Sequence, residues 1–264
     1  MKIGFIGCGN MGRAMMKGIL DSGKCEASDI IASAASEKTI AARKEAFGVN
    51  VTLNNEEAAA FADVLFLSVK PQYYENVIKE IASVTDAEKI IVAMAPGKTL
   101  GWLAETFGKK LKIIRTMPNT PAMVGEGMMA LCPNEQIDAS DLSAVRDICS
   151  GFANTEIVPE SLMDVVTSVS GSSPAYVFMF IEAMADAAVA DGMPRGAAYK
   201  FAAQTVLGSA KMVLDTGMHP GELKDMVCSP GGTTIEAVRV LEEKGFRSAV
   251  IEAMKACTRK AREM

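Results

Sequence analysis

The sequence has very little histidine and no paired cysteines. His219 is the single histidine, and the six cysteines lie far apart without a Cys-x-x-Cys motif. A zinc site needs cysteine and histidine ligands at close spacing, so we expect no metal and reduced thiols. Lysine and arginine are scattered rather than clustered, and the net charge is −5. This excludes nucleic acid and an anionic membrane as the main partner, and it favours a small molecule.

A targeting signal is also missing from the start of the chain. Met1 and Lys2 lead directly into the apolar run Ile3–Ile6, without the basic region, long apolar stretch and cleavage site of a signal peptide. We therefore expect a cytoplasmic protein. With 264 residues, 49% of them hydrophobic, the chain can bury a full core.

Short apolar runs alternate with helical patterns over residues 1–159. The predicted strands cover residues 2–6, 29–33, 64–68, 89–94 and 111–115, and the runs 128–132 and 155–158 are candidates to extend the sheet. The predicted helices between them include residues 11–21, 37–47, 72–84 and 139–152. This alternation is typical of an α/β fold with a Rossmann-type doubly wound sheet. We therefore expect a dinucleotide-binding domain over residues 1–159.

Strand signals stop after Pro159, so residues 160–264 are predicted to form an all-α domain. Ser172 or Ser173 is suited to cap a helix that has Pro174 in its first turn and is apolar on nearly every face. About 17 residues with two acids are too short and too charged for a membrane span. We expect this helix to be buried, partly by a second subunit, which predicts an intimate homodimer.

The first glycine-rich segment lies between a predicted strand and a predicted helix. Gly7 allows a tight turn, Gly9 admits a pyrophosphate and Gly12 permits close contact of the helix with the strand. The amides of the helix N-terminus then face the phosphates. The alternative is that these glycines serve only the turn.

The residues after the second predicted strand bear on the choice of dinucleotide. An NAD site usually has an acid about 20 residues past the glycine loop, whereas this chain has Ser33 and Ser36, followed by Lys38. These groups suit a 2′-phosphate, so NADP(H) is favoured and NAD(H) remains possible. The alternative for Ser36 is a capping residue ahead of Glu37.

A second glycine-rich segment, residues 229–234, lies within the helical part. Gly231 and Gly232 followed by two threonines at a helix start offer free N–H groups, a helix dipole and hydroxyls, which together suit a carboxylate. The alternative is an ordinary capped helix, with Thr233 or Thr234 as N-cap and Glu236 in the first turn.

Five segments together resemble the Δ1-pyrroline-5-carboxylate reductase family, over nearly the whole chain. They are residues 6–12, 66–72, 115–121, 170–176 and 229–234. The resemblance implies an NAD(P)H-dependent enzyme that reduces pyrroline-5-carboxylate to L-proline by hydride transfer to the imine carbon. It also implies an all-α C-terminal dimerisation domain and a homodimer, with a ring of dimers as a possible larger assembly.

The resemblance also implies the site residues. The cofactor contacts would be Gly7, Cys8, Gly9, Asn10, Met11, Gly12, Ser33, Asn55, Val69, Lys70 and Pro71. The substrate contacts would be Ser229, Gly231, Gly232, Thr233 and Thr234. Thr234 would be catalytic, with its hydroxyl near the ring nitrogen, and the distance between the two glycine-rich segments suggests that they meet across two subunits.

The chain departs from the family pattern at Ala93, Pro96 and Ser173, where serine, alanine and glycine are usual. Two other functions remain open. One is a related imine or β-hydroxyacid oxidoreductase, although Lys200 and Lys211 look more like solvated residues than catalytic lysines. The other is a non-catalytic nucleotide-sensing module.

Two further residues invite a functional interpretation. His219 precedes a proline at a helix start and is interpreted as a surface or capping residue rather than a base. Cys8 lies inside the glycine loop, where a helix N-terminus lowers a thiol pKa, but a small apolar filler is an equal alternative. A redox-sensing role for Cys8 is therefore a hypothesis.

Overall fold

The computed structural model describes residues 1–94 and 96–263. They form two compact units, Met1–Ser172 with the residues from Cys257 onward, and Ser173–Ala256. This division falls at Ser172 rather than at residue 159. The reason is a small apolar cluster in which Met163 packs with Ala130 and Cys132 of the sheet, so the chain just after residue 159 stays with the first unit.

An eight-stranded sheet forms the centre of the first unit. Its strands are β1 Ile3–Ile6, β2 Ile30–Ser33, β3 Asn50–Thr52, β4 Val64–Leu67, β5 Ile90–Ala93, β6 Lys112–Met117, β7 Gly127–Pro133 and β8 Ala153–Ile157. Their order is β3-β2-β1-β4-β5-β6-β7-β8. Only the β6–β7 pairing is antiparallel among these strands. The strand order reverses beside β1, which is the position where ligands bind in doubly wound sheets.

Helices cover both faces of this sheet. Those before residue 160 are α1 Asn10–Asp21, α2 Glu37–Phe47, α3 Asn55–Phe61, α4 Tyr74–Ile81, α5 Leu100–Phe107 and α6 Ala139–Cys149. One apolar core joins α1 and α6 to the sheet, and a second joins α3, α4 and α5 to the other face. The four central strands β1, β2, β4 and β5 are buried throughout, as expected for parallel strands covered on both sides. The predicted doubly wound sheet is confirmed.

The remaining elements are helical. They are α7 Met163–Val166, followed by a π-helical turn Thr167–Gly171, then α8 Pro174–Ala190, α9 Arg195–Thr216, α10 Pro220–Val227, α11 Thr233–Glu243 and α12 Phe246–Arg262. Hydrogen bonds join Thr258 to Ser168 at 2.8 Å and Cys257 to Ser172 at 3.3 Å. They attach the end of α12 to the π-helical turn. The prediction of an all-α C-terminal part is confirmed.

Helix α8 is not buried within the single chain, so that expectation is wrong for one subunit. Ala185 is its one buried residue, whereas Phe178 and Met179 are 62% and 67% exposed. Within the second unit α8 packs mainly against α9. One neighbouring helix cannot cover an apolar surface that extends around the whole of α8.

The helical stretch Glu160–Ala190 is longer than the 17 residues of α8 alone. It spans 31 residues with a mean hydropathy of 1.2 in its most apolar window, so by length and composition it is able to cross a membrane. Helix α8 itself has 17 residues, as the sequence argument assumed, and the stretch reaches 31 residues only by including the turns and the short helix α7 that precede it. Length and hydropathy are weak evidence here, because a core helix of a soluble protein passes the same test.

Candidate active site

The first glycine-rich segment forms the loop between β1 and α1. Gly7 has a φ of 95°, a conformation that favours glycine. A Cβ at residue 12 would lie 2.7 Å from the Gly7 carbonyl oxygen, whereas a Cβ at residue 9 would meet no atom within 4 Å. Gly9 is the N-cap of α1, no side chain caps this helix, and no acid lies in its first turn. The open side at Gly9 and the uncapped amides therefore fit a dinucleotide pyrophosphate.

Ser68, just after β4, holds this loop in place. Its hydroxyl donates to the carbonyl oxygens of Gly7 at 2.5 Å and of Ile6 at 3.2 Å. The sequence analysis gave Ser68 no role, although it belongs to one of the segments that carry the family resemblance. Its bonds show that the end of β4 fixes the shape of the glycine loop.

A cleft of about 340 Å³ lies at the ends of β1, β4, β5 and β6. It is lined by Gly9, Asn10, Met11, Ser68, Val69, Lys70, Met94, Pro96, Met117 and Pro118. The structure thus brings together five predicted cofactor residues, Gly9, Asn10, Met11, Val69 and Lys70. Pro71 follows at the start of a 3₁₀ turn, with Lys70 as its N-cap. Met94, Met117 and Pro118 were missed because strand ends carry no signal until the sheet order is known.

Pro96, one of the departures from the family pattern, lines this cleft. Its neighbour Ala95 lies outside the described residues. The second departure, Ala93, is buried at the end of β5. The third, Ser173, precedes the proline that begins α8.

Ser33 and Asn55 lie beside each other, and their side chains bond to each other. Ser33 is completely buried, and its hydroxyl donates to Asn55 Oδ1 at 2.6 Å. Asn55 in turn donates to Glu80. The Ser33 hydroxyl is therefore already bonded inside the fold, and its contact with a 2′-phosphate stays a prediction. Ser36 acts as the N-cap of α2 and accepts from the Thr39 amide, as its alternative interpretation predicted.

Arg43 on α2 was missed by the sequence analysis and reaches the glycine loop. Its Nε and Nη2 donate to the Cys8 carbonyl oxygen at 3.2 and 3.1 Å. Arg43 lies about two helical turns beyond Ser36, where a sequence search for residues at the end of β2 does not look.

Cys8 is a packed thiol rather than a reactive one. Its side chain is 3% exposed and lies in the core beside α1. Its Sγ donates to the Ser33 carbonyl at 3.1 Å. Burial raises the pKa of the Cys8 thiol to about 11, and the nearby Arg43 charge opposes only part of this shift. The redox-sensing hypothesis is not supported, because oxidation requires the thiolate.

The second glycine-rich segment forms a tight turn before α11. The Gly232 amide donates to the Ser229 carbonyl at 3.0 Å, and Gly231 has a φ of 67°. This arrangement, with Pro230 at the second position, is that of a type II turn. A Cβ on residue 232 would collide with the Ser229 hydroxyl, so Ser229 and Gly232 lie in direct contact.

The start of α11 carries no side-chain cap. Gly232 is its N-cap, and Thr233 and Thr234 are its first two helical residues. The alternative in which a threonine caps this helix is therefore wrong. The Thr234 hydroxyl makes no hydrogen bond within the described part of the chain, and the residue is partly exposed. The amides in the first turn of α11 are available to a carboxylate, and the Thr234 hydroxyl is available to a polar ring atom of the same ligand.

His219 has the capping role that the sequence predicted. It is the N-cap of α10, and its Nδ1 accepts from the Gly221 amide at 3.0 Å. Among residues 1–94 and 96–263, no group of three or more histidine, cysteine, aspartate or glutamate side chains is placed to hold a metal ion.

Comparisons with known proteins place this architecture in one family. The family model described as "Pyrroline-5-carboxylate reductase dimerisation" matches residues 160–264, and that described as "NADP oxidoreductase coenzyme F420-dependent" matches residues 2–97. The pyrroline-5-carboxylate reductase of Escherichia coli (strain K12) is 54% identical over 100% of this chain and 98% of its own length. The chain belongs to the pyrroline-5-carboxylate reductase family.

Solved structures of pyrroline-5-carboxylate reductases have the same fold as this chain. The Coxiella burnetii enzyme superposes with a TM-score of 0.93 at 34% identity, covering 99% of this chain and 97% of the other. The Plasmodium falciparum enzyme with NADP bound superposes with a TM-score of 0.90 at 32% identity, covering 100% and 97%. The match extends over both compact units.

Proposed function

We propose that this protein reduces Δ1-pyrroline-5-carboxylate to L-proline. The observation that carries the proposal is the full-length match at 54% identity to a pyrroline-5-carboxylate reductase, together with the free start of α11 at Thr233 and Thr234. A shared nucleotide-binding sheet alone would support many dehydrogenases. The second glycine-rich segment is what separates this function from theirs.

The chain's own residues divide the work between two loops. The β1–α1 loop and the ends of β4 and β5 would hold a nicotinamide dinucleotide, through the uncapped amides at Gly9 and the cleft that includes Val69 and Lys70. When bound, this group supplies the hydride that adds to the imine carbon. Pro96 and Met117 line the same cleft and would contact the nicotinamide end of the cofactor.

The turn before α11 would hold the substrate. The amides after Gly232 and the Ser229 hydroxyl suit the substrate carboxylate, because the helix dipole and free N–H groups both favour an anion. The free Thr234 hydroxyl would orient the ring nitrogen and relay its proton. A protonated C=N bond in a ring is already electrophilic, so positioning can account for most of the rate.

Three finer assignments belong to the proposal. NADP(H) is the preferred cofactor, supported by the lack of an acid among residues 34–36 directly after β2 and by the NADP-bound relative. The working form is a homodimer that can assemble further into a ring of dimers; the match to a dimerisation family and the exposed apolar surface of α8 support the dimer. The location is the cytoplasm, where proline synthesis from small metabolites suits a protein with reduced cysteines.

The test is a cofactor-oxidation assay with purified protein. We expect pyrroline-5-carboxylate to cause loss of nicotinamide absorbance, with L-proline as the product, in parallel assays with NADPH and NADH. A β-hydroxyacid dehydrogenase would oxidise its substrate without acting on the imine. Neither lysine named for that alternative is buried, since Lys200 is exposed and Lys211 pairs with Asp215 at 2.6 Å on the surface. Cofactor binding without turnover of any cyclic imine would instead favour a nucleotide sensor.

A further inference from the structure

Arg43 reaches the phosphate loop from outside it. It lies on α2, and both Nε and Nη2 donate to one acceptor, the Cys8 carbonyl oxygen, at 3.2 and 3.1 Å. Two donors on one carbonyl fix the guanidinium plane against the loop. The third nitrogen, Nη1, makes no hydrogen bond with any residue in the described ranges. The side chain is partly exposed, so part of the guanidinium remains accessible beside the loop.

This guanidinium has no acidic partner. No carboxylate of the described residues lies within ion-pair distance of it, unlike Arg195 or Arg239, which pair with acids on the surface. The Cys8 carbonyl is neutral, so the arginine charge is not compensated locally. A half-buried cation held against a loop that binds phosphates, and without a counter-ion, is suited to a further anionic group.

The position of Arg43 matches one particular phosphate. Cys8 Sγ donates to the Ser33 carbonyl at the end of β2 at 3.1 Å, so the loop, the end of β2 and Arg43 converge at one place. In doubly wound sheets the adenosine ribose lies there, where an acid takes its hydroxyls in NAD sites and an arginine accommodates the 2′-phosphate in NADP sites. The residues that follow β2 here, Ala34 to Ser36, include no acid.

The two serine hydroxyls in this region are already used. Lys38, which the sequence analysis named beside them, is exposed and makes no hydrogen bond with the described residues that would fix it beside the loop. The Ser33 hydroxyl is bonded to Asn55, and Ser36 caps α2 and bonds to Thr39. We infer that Arg43 is the specificity-determining residue that binds the 2′-phosphate and gives this protein its preference for NADP(H). The inference rests on the proposed function for the use of a nicotinamide dinucleotide, and it names the residue that selects between the two forms.

The test measures binding without substrate. Isothermal titration calorimetry with 2′,5′-ADP and with 5′-AMP, which differ only by the 2′-phosphate, separates this phosphate from the rest of the adenosine half, on the full-length protein. We expect Arg43→Gln to weaken 2′,5′-ADP binding by about 10- to 100-fold, because a charge-assisted contact is lost. Binding of 5′-AMP should change by less than about twofold, since it lacks the 2′-phosphate. Lys44→Gln, at an exposed cation on the same helix, is the matched control and should leave both affinities unchanged.

Two outcomes would overturn the inference. If Arg43→Gln weakens both nucleotides equally, Arg43 only supports the loop. If it weakens neither, the 2′-phosphate is bound elsewhere. Arg43→Lys keeps the positive charge but lacks the several N–H donors of the planar guanidinium. We therefore expect its affinity for 2′,5′-ADP to lie between those of the wild type and Arg43→Gln. These titrations contain no imine substrate. They therefore test the role of Arg43 even if the protein shows no reductase activity in the cofactor-oxidation assay.

Discussion

Thr234 illustrates how a single position combines a backbone and a side-chain role. It is the second residue of α11, where the amides have no partner inside the helix, and its own hydroxyl makes no hydrogen bond with the residues that the structure describes. Ser229 and Gly232 are locked together by the turn that precedes it. The chemistry proposed here therefore depends on a small region of the chain with little freedom to rearrange.

We expect Thr234→Ala to lower kcat by about 10- to 100-fold, because a hydroxyl that orients the ring nitrogen and relays a proton is lost. The Kd for NADPH should stay within about twofold, since Thr234 makes no proposed cofactor contact. Thr234→Ser keeps the hydroxyl and serves as the control, with kcat close to that of the wild type. Steady-state kinetics and cofactor titration by fluorescence measure the two quantities. Unchanged kcat in Thr234→Ala would remove this role.

The Cys8 thiol should resist alkylation in the folded protein. With its pKa raised to about 11, the thiolate fraction at pH 8 is on the order of one in a thousand, against about one in ten in the unfolded chain. Iodoacetamide labelling at pH 8, followed by peptide mass spectrometry, should find Cys8 unmodified in the native protein and modified in urea. Rapid native labelling would contradict the burial argument.

The raised pKa of Cys8 also makes the free energy of unfolding depend on pH. A raised pKa means that the folded state holds the thiol proton more tightly, so the stabilising contribution is complete below the unfolded value of 9.0 and is lost as pH rises through about 11. The Cys8→Ala variant should lose part of this alkaline decline in the free energy of unfolding, measured by urea titration between pH 8 and 11.

At the scale of elements, helix α1 is held by very close contact with the chain around β8. A Cβ on Gly18 would lie 2.5 Å from the Phe152 Cβ and 2.6 Å from the Gly151 carbonyl oxygen. The glycine at 18 is therefore a packing requirement. This contact positions the helix whose N-terminus forms the phosphate loop.

Gly18→Ala should lower the free energy of unfolding by at least about 1–3 kcal/mol, because backbone atoms must move apart to make room. The matched control is Gly101→Ala on α5, where the nearest neighbour of an added Cβ is the Thr99 hydroxyl at 3.9 Å. We expect Gly101→Ala to have little effect or to stabilise slightly. Urea unfolding measures the free energy of unfolding of both variants. Equal values would show that α1 moves to make room for the added Cβ without loss of stability.

The element boundaries show what the sequence can and cannot predict. The apolar runs predicted β1, β2, β4 and β5 to within two residues at either end, because buried parallel strands are continuously apolar. The short strand β3, Asn50–Thr52, was missed, since three residues with one apolar side chain carry no periodicity. The helices α3 and α5 were also missed, as both are short.

The residues of the candidate site also fall into two groups, those that local sequence predicts and those whose proximity depends on the fold. Residues of the glycine loop were predictable because the chemistry and the local turn lie in one segment. Arg43, Met117 and Ser68 were not, because their proximity to that loop depends on side-chain reach and on strand order rather than on local sequence. The bond between the Ser33 hydroxyl and Asn55 was not predictable for a related reason, because Asn55 lies 22 residues further along the chain.

For the whole molecule, the helical unit should assemble through its apolar surface. Phe178 and Phe201 are 62% and 67% exposed in the single chain, and side chains of this kind are rarely left in water in such numbers. Light scattering should give a mass at least twice the 27.9 kDa of one chain.

A charge in this surface should weaken the assembly. We expect Phe178→Glu to lower the measured mass or to make it depend on protein concentration, because a carboxylate would be buried without a partner. Lys110→Glu, at an exposed position after α5, introduces the same charge in the first unit and should leave the mass unchanged. A single-chain mass for the wild type would contradict the proposed dimer.

The second unit, all of which the structure describes, has only Ala185, Ala198 and Ala202 fully enclosed among its apolar residues. Three methyl groups cannot offset the conformational entropy of ordering its helices. For this unit we therefore expect association with another copy to be a step of folding itself. Dilution should then act on it as a denaturant does, lowering its thermal midpoint at nanomolar protein while the nucleotide-binding unit keeps its own.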